Sequence, residues 1–369
     1  MAIASIGAST GKDRLETLDL LRGLAALAIL ALHFPWPGGD VLLMPRSYLG
    51  VDLFFTLSGF VIAYSYQHRL ESGMPVRRYF LARLIRLYPL YILATLITAA
   101  ILAVRLLRDG ESEGFGPWGA TLATAALFLP TPREWSTWPV VFFPLNPAAW
   151  SLFFELAVNV LYGVLALRLS NRLLGLLIVV GAILLGIAVF RMGTASLGAD
   201  WSSAHWAWGR ALFSFFAGVA LFRLRARVRL PAIPAWLLGL VLLAVLLAPA
   251  SWPWIYDLAC IFLVFPLLVW AGADASSGKT MRAVSRQLGF ISYPIYVLQM
   301  ALIPVLMVLL DRGLGMRLNA SIVGGLLLHF AFVVGISWLV ARWFDEPVRA
   351  WLKKRFGLPP GQTPAQSAP

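Results

Sequence analysis

The chain has 369 residues, of which 60% are hydrophobic and only 13% charged, and its mean hydropathy is +0.80. A soluble domain is nearer half apolar and a quarter charged, and apolar stretches recur here along the whole length, which excludes a soluble enzyme and a soluble enzyme on one anchor. The net charge of +13 does not point to nucleic acid, because the cations fall in short clusters between apolar stretches, where membrane topology alone would put them.

Segments long enough to span are predicted at residues 18–34, 48–66, 80–104, 148–167, 173–190, 206–222, 233–249, 255–271, 288–310 and 319–341. About 20 residues are needed to cross, with 17 at the low end. The first could pass for a signal peptide, but Asp19 and Arg22 interrupt its apolar region and no small-residue cleavage site follows. The stretch 118–130 is too short to cross and is bracketed by Pro117, Pro130 and Pro132, which suits a re-entrant or interfacial piece. With the amino terminus cytoplasmic and 118–130 not crossing, 22 of the 30 Lys and Arg residues lie on the cytoplasmic side; if it crossed, only 13 would. The positive-inside rule favours the first arrangement. The expected fold is an all-α polytopic bundle of about ten transmembrane helices plus one re-entrant segment, both termini cytoplasmic. Residues 1–16 form a cytoplasmic segment, 17–356 the membrane domain, and 357–369 (GLPPGQTPAQSAP), which lacks charge or an apolar run, a disordered tail. No internal repeat of the transporter kind is evident.

Arg22 and His33 stand inside the first span with ten residues between them. An Arg at a helix centre costs roughly 2.5–3.5 kcal/mol on insertion scales, so it is rarely idle. Eleven steps of about 100° return His33 to within about 20° of the Arg22 azimuth, roughly 16 Å further along the axis. On the predicted topology the intramembrane polar residues form two tiers. Toward the cytoplasm lie Arg22, Arg78, Arg83, Arg86 and a Glu346/Arg349 pair; toward the outside lie His33, Asp52, Trp150, Ser151, Glu155, Arg210 and Asp257. A basic inner tier suits a phosphate-bearing donor, since Arg binds phosphate bidentately. A His with nearby carboxylates suits general base catalysis on a hydroxyl. Arg83 and Arg86 share a helix face, as do Ser151 and Glu155, and a lone carboxylate at Glu155 needs a partner or a function. Asp52 caps its helix or serves the site, while Ser58 and Gly59 allow close packing. His329 and Arg210 are site residues or packing contacts, and no sequence feature separates the two. The single cysteine, Cys260, rules out an intramolecular disulfide framework and a cysteine-based metal site, and no metal is expected.

These stretches resemble the acyltransferase family 3 of bacterial integral-membrane acyltransferases. RGLAALAILALH looks like the family's Arg, ten residues, His opening, and GVDLFFTLSGFVI at 50–62 like its second-span signature. YFLARLIRLYPLY at 79–91 resembles its Arg-x-x-Arg-x-x-Pro region and NPAAWSLFFE at 146–155 its Trp-Ser-Leu-x-x-Glu motif. LGFISYPIYVLQ at 288–299 resembles the late Ser-Tyr-x-x-Tyr block, and FDEPVR at 344–349 the closing Glu-Pro-x-Arg. Each motif alone is weak, but six in family order are specific. The late block commonly ends in His, and this chain has Gln299, which hydrogen-bonds but cannot take a proton.

The resemblance implies transfer of an acyl group, usually acetyl, from cytoplasmic acyl-CoA to a hydroxyl of a glycan or glycolipid, in the bacterial cytoplasmic (inner) membrane. Acyl-CoA is then a co-substrate, with no permanently bound cofactor. Arg22, Arg83 and Arg86 would hold its phosphates, and His33 would act as general base with Glu155 or Asp52 orienting the imidazole; a covalent acyl-histidine stays open. Trp150, Ser151, Tyr293 and Tyr296 would contact substrate. The competing reading is a transporter or flippase for a glycan-linked or anionic lipid, with the same charges lining a polar path.

Overall fold

A bilayer core offers no water to backbone N–H and C=O groups, so an apolar chain must satisfy them within itself, and helices are the local solution. The computed structural model describes residues 15–36, 43–315 and 321–358, and the ordered elements among them are helical, with two isolated bridges and no strand. In chain order they are α1 (Glu16–Leu32), α2 (Gly50–Glu71), α3 (Val76–Asp109), α4 (Phe115–Ala126), α5 (Ala149–Leu165), α6 (Asn171–Met192) and α7 (Ala207–Arg225). There follow α8 (Ala235–Leu246), α9 (Trp254–Ala259), α10 (Phe265–Ala273), α11 (Lys279–Leu314), α12 (Ile322–Val340) and α13 (Glu346–Arg355). The all-α membrane bundle predicted from sequence is the fold observed. Seven helical stretches among the described residues are long and apolar enough to cross a membrane. The helices α1, α5 and α8 are shorter, at 17, 17 and 12 residues. Ten crossings and two cytoplasmic termini therefore go beyond what helix length and composition establish. Residues 359–369 of the expected tail lie outside the described residues, as do residues 1–14.

Helix pairs meet through glycine. A Cβ on Gly59 of α2 would run into the Phe215 carbonyl of α7, and one on Gly218 of α7 would come within 2.8 Å of the Phe60 nitrogen. Small residues let membrane helices approach to backbone contact, where van der Waals packing replaces the missing hydrophobic drive. Gly181 and Gly209 do the same between α6 and α7, and Gly23 seats α1 against Leu288 of α11. α1 and α11 run parallel: Glu16 faces Arg282 and Arg286 at one end, and His33 faces Gln299 at the other.

Two π-helical turns, Cys260–Val264 and Ala341–Asp345, precede Pro266 and Pro347. Proline lacks an N–H and crowds the carbonyl four residues back, so a locally widened turn accommodates it. α4 lies back along α3 instead of forming a span. Trp118 Nε1 donates to the Ala99 carbonyl at 3.0 Å, Tyr91 to Ala125 at 2.7 Å and Tyr88 to Ala126 at 2.6 Å. The chain then crosses without α-helix to α5, tied to the 193–206 loop by Phe142 N–H to Ala199 and Trp201 N–H to Val140. That irregular stretch leaves the start of α5 beside the middle of α11.

Candidate active site

α1, α2, α3, α5 and α11 surround a cavity of about 180 Å³ lined by Arg22, Ser58, Arg83, Arg86, Glu155 and Tyr293, among others. Arg22 is held by Asp19 at 2.5 Å, by the Gly289 carbonyl at 3.1 Å and by Ser292 Oγ, to which its Nε donates at 2.9 Å. Arg83 Nη2 donates to Glu155 Oε1 at 3.1 Å, and Ser58 Oγ donates to the same oxygen at 2.8 Å. Arg86 lays its guanidinium over the Tyr293 ring, 4.7 Å from the centroid, while the Tyr293 hydroxyl donates to the Leu87 carbonyl. Arg86 Nη1 and Arg83 Nε are buried with no hydrogen-bond partner among the described residues. A buried N–H of a guanidinium left unmatched is costly, so these two residues of the cavity wall carry donors that the fold itself does not satisfy.

A second cavity, of about 200 Å³, is lined by His33, Tyr48, Trp150, Asp200, Ser203 and Arg210, among others. Val51 and Tyr296 belong to the walls of both. Tyr296 is pinned between them by a 2.5 Å hydrogen bond with Ser151 Oγ. The two cavities thus lie one beyond the other beside α1, Arg22 lining the first and His33 the second, with Val51 and Tyr296 between them.

His33 ends α1, and its Nδ1 lies 3.3 Å from Gln299 Oε1. Gln299 Nε2 donates to the Tyr296 carbonyl at 3.1 Å, which only an amide nitrogen can do, so the amide oxygen faces His33. An amide oxygen only accepts. The neutral imidazole therefore carries its proton on Nδ1 and leaves a lone pair on Nε2.

The structure corrects the assignment of carboxylates to His33. Asp52 is fully buried and gives both oxygens to Arg210, at 3.0 Å from Nε and 2.6 Å from Nη2. Glu155 lies in the Arg83 cavity, not in the tier of His33, because α5 starts only at Ala149 and its second turn already reaches the depth of Arg83. Arg210 also donates to the Leu197 and Tyr48 carbonyls and lies 5.2 Å above the Trp150 ring. Trp150 is thereby a buried wall of the second cavity, packed against Gly198, whose φ of +118° brings backbone onto the indole. The Glu346/Arg349 pair also resolves differently: Glu346 pairs with Arg342 and Arg349 with Asp345, each at i,i+4. His329 lines neither cavity; its Nε2 lies 3.3 Å from the Leu30 carbonyl and its ring packs on Phe34.

Two groups that sequence reasoning passed over matter here. Arg46, from a loop, donates to Asp257 at 2.8 Å, to Tyr48 at 2.7 Å and to the carbonyls of Pro249, Ala250 and Trp252. It ties its own loop to the loop between α8 and α9 and to α9 itself. Ser58 and Ser292, small hydroxyls in apolar helices, bond Glu155 and Arg22; both fall in the quoted motifs, but there Ser58 reads as a close-packing residue and Ser292 has no role. Among the described residues no group of three or more His, Cys, Asp or Glu is placed to hold a metal ion.

The chain is 38% identical over 192 residues to protein 2 in the picA locus of Rhizobium radiobacter, covering 48% of this chain and 95% of that protein. No solved structure matches. The acyltransferase domain profile matches residues 15–342, which takes in both cavities and every motif except the closing Glu-Pro-x-Arg. A match of that extent places this multi-pass membrane chain in acyltransferase family 3, and the protein is an acyltransferase.

Proposed function

We propose that the protein is an O-acyltransferase of the bacterial cytoplasmic membrane that moves an acyl group, acetyl in the first instance, from acyl-CoA to a hydroxyl of a glycan or glycolipid. The observation that supports this reading most is the pairing of two cavities through shared wall residues, Val51 and Tyr296, with unmatched guanidinium donors in the wall of one and an oriented imidazole in the other. Arg22, Arg83 and Arg86 face the donor's phosphates from the Glu16 end of the bundle, which is the cytoplasmic end on this reading. The pantetheine arm then points along α1 and carries the thioester past Tyr296 to His33. The roughly 16 Å between Arg22 and His33 separates phosphate binding from proton transfer.

In the second cavity His33 Nε2 takes the proton of the acceptor hydroxyl as its oxygen attacks the thioester carbonyl. The C–S bond breaks, the CoA sulfur leaves as thiolate, and the imidazolium returns the proton to it. Gln299 holds the required tautomer, the part that a carboxylate plays in hydrolytic triads. If Nε2 instead attacks the thioester carbonyl itself, the C–S bond breaks, CoA leaves as thiolate and an acyl-imidazolium forms; the acceptor hydroxyl then attacks that acyl carbon, the N–C bond breaks to return neutral His33, and the hydroxyl proton goes to the thiolate. The test is CoA release by purified protein with and without acceptor glycans, in wild type and His33→Ala. Acceptor-dependent CoA release lost in the variant supports the reading. A wild-type protein that binds acyl-CoA without ever cleaving it, or that moves a lipid across vesicles, would support a transporter instead.

A further inference from the structure

At the Glu16 end, the last helix contributes cations that the reading above leaves unused. The π-turn Ala341–Asp345 leads into α13, which packs against α3, the helix of Arg83 and Arg86. Asp345 is buried at 1% exposure and pairs with Arg349 at 2.7 Å through Oδ2, while its Oδ1 has no hydrogen-bond partner among the described residues. Lys353 follows Arg349 by one turn, so both extend from the same face of α13. Arg349 and Lys353 lie close enough to Arg86 for each to feel its charge, and Arg22 acts on Arg86 as well. Arg22, Arg83, Arg86, Arg349 and Lys353 thus gather around three carboxylates, Asp19, Glu155 and Asp345. Like charges assembled at this depth repel unless an anion joins them, and Arg86 Nη1 has no hydrogen-bond acceptor. On its other side α13 exposes Trp351, in keeping with a helix lying at a membrane surface.

We infer that Arg349 and Lys353 form the outer half of the donor site and hold the phosphate farthest from the thioester, which in acyl-CoA is the ribose phosphate, while Arg22 and Arg86 face the diphosphate. The inference rests on the acyl-CoA reading. It makes α13 the element that distinguishes a full CoA thioester from one lacking the ribose phosphate.

The experiment compares acetyl-CoA with acetyl-3′-dephospho-CoA, using full-length protein in nanodiscs. Wild type should show a KM for the dephospho donor higher by about tenfold or more, one charge-assisted phosphate contact being worth roughly that factor. Lys353→Ala should raise the KM for acetyl-CoA several-fold and leave that for the dephospho donor and both kcat values nearly unchanged. Arg349→Ala strands the buried Asp345 carboxylate, so Asp345→Asn/Arg349→Ala, which removes both charges, serves as the second variant and should erase the remaining discrimination. Lys354→Ala, on the exposed side of α13, controls for net charge and should keep the wild-type ratio. Equal KM values for the two donors in wild type would overturn the assignment. So would a ratio that survives in both α13 variants, or one that falls equally in Lys354→Ala. If wild type turns over neither thioester, the acyl-CoA reading fails first and this inference falls with it, whereas turnover without discrimination refutes α13 alone.

Discussion

Four residues of the cavity walls were legible because each is an ionisable group in an apolar stretch: Arg22, His33, Arg83 and Arg86 carry a cost that needs a reason. Their partners were not. Gln299 is 266 residues from His33, and Asp52 is 158 from Arg210, so no local spacing links either pair. An amide in place of the usual histidine looks like a lost acid–base group in sequence, yet in space it sets the tautomer of His33. Gln299→Leu removes the acceptor for Nδ1–H and lets the proton settle on either nitrogen. It should lower kcat by roughly 5- to 10-fold, in line with one hydrogen bond of about 1 kcal/mol, with the donor KM unchanged. Gln299→Glu keeps an acceptor and should retain more activity than Leu. Steady-state kinetics on purified variants decide this, and a Leu variant at wild-type kcat would remove Gln299 from the mechanism. His33→Ala should fall by at least the 10²–10⁴-fold typical of a lost general base while remaining folded. Activity within a few-fold of wild type would end the histidine-base reading.

The helices themselves were readable from hydropathy, to within a few residues at 148–167 against Ala149–Leu165 and at 173–190 against Asn171–Met192. The misjudged element is α11, read as 288–310 but running over Lys279–Leu314, because its first turns are polar and carry no membrane signal. Nor does hydropathy reveal which elements are bolted together. Asp52 and Arg210 join α2 to α7 as a buried pair at 0% and 1% exposure, and the helices close on each other at Gly59 and Gly218. Breaking a buried ion pair from one side leaves an uncompensated charge and costs about 3–5 kcal/mol, whereas removing both charges is often near neutral. Arg210→Met should therefore lower thermal stability sharply and Asp52→Asn somewhat less. Asp52→Asn/Arg210→Met should recover most of the loss. Melting of the detergent-solubilised variants measures this; a double variant no more stable than Arg210→Met would show that the pair does not act as a unit.

At the scale of the whole molecule, the arrangement of helices bears on topology more directly than their lengths do. Parallel α1 and α11 require an odd number of crossings between them if both cross. The seven intervening segments apart from α4 supply that number only when α4 returns to the side it came from, as its hydrogen bonds along α3 favour. Reporter fusions at 168–172 should accordingly report from the cytoplasm, and an external signal there would overturn the ten-crossing arrangement. The two-cavity arrangement was not legible in sequence, because Val51 reads as one more apolar residue, and Tyr296, marked by the resemblance as a substrate contact, gives no sign there of standing between two cavities. Both matter only because α2 and α11 bring them to the same partition. Val51→Trp adds bulk there without touching a guanidinium or the imidazole. It should leave acyl-CoA affinity, measured by direct titration, within a few-fold of wild type, since the charge-assisted phosphate contacts, the strong ones, stay in place. Acyl transfer should fall by at least tenfold, because a thioester displaced by even about 1 Å from its attacking group can lose roughly 100-fold. Tyr296→Phe, which loses the hydrogen bonds to Ser151 Oγ and to the Ala148 carbonyl, should open the partition instead and raise acceptor-independent CoA release as water reaches the thioester. If Val51→Trp folds and transfers at the wild-type rate, the acyl group does not travel through the partition, and donor and acceptor must meet on one side of it.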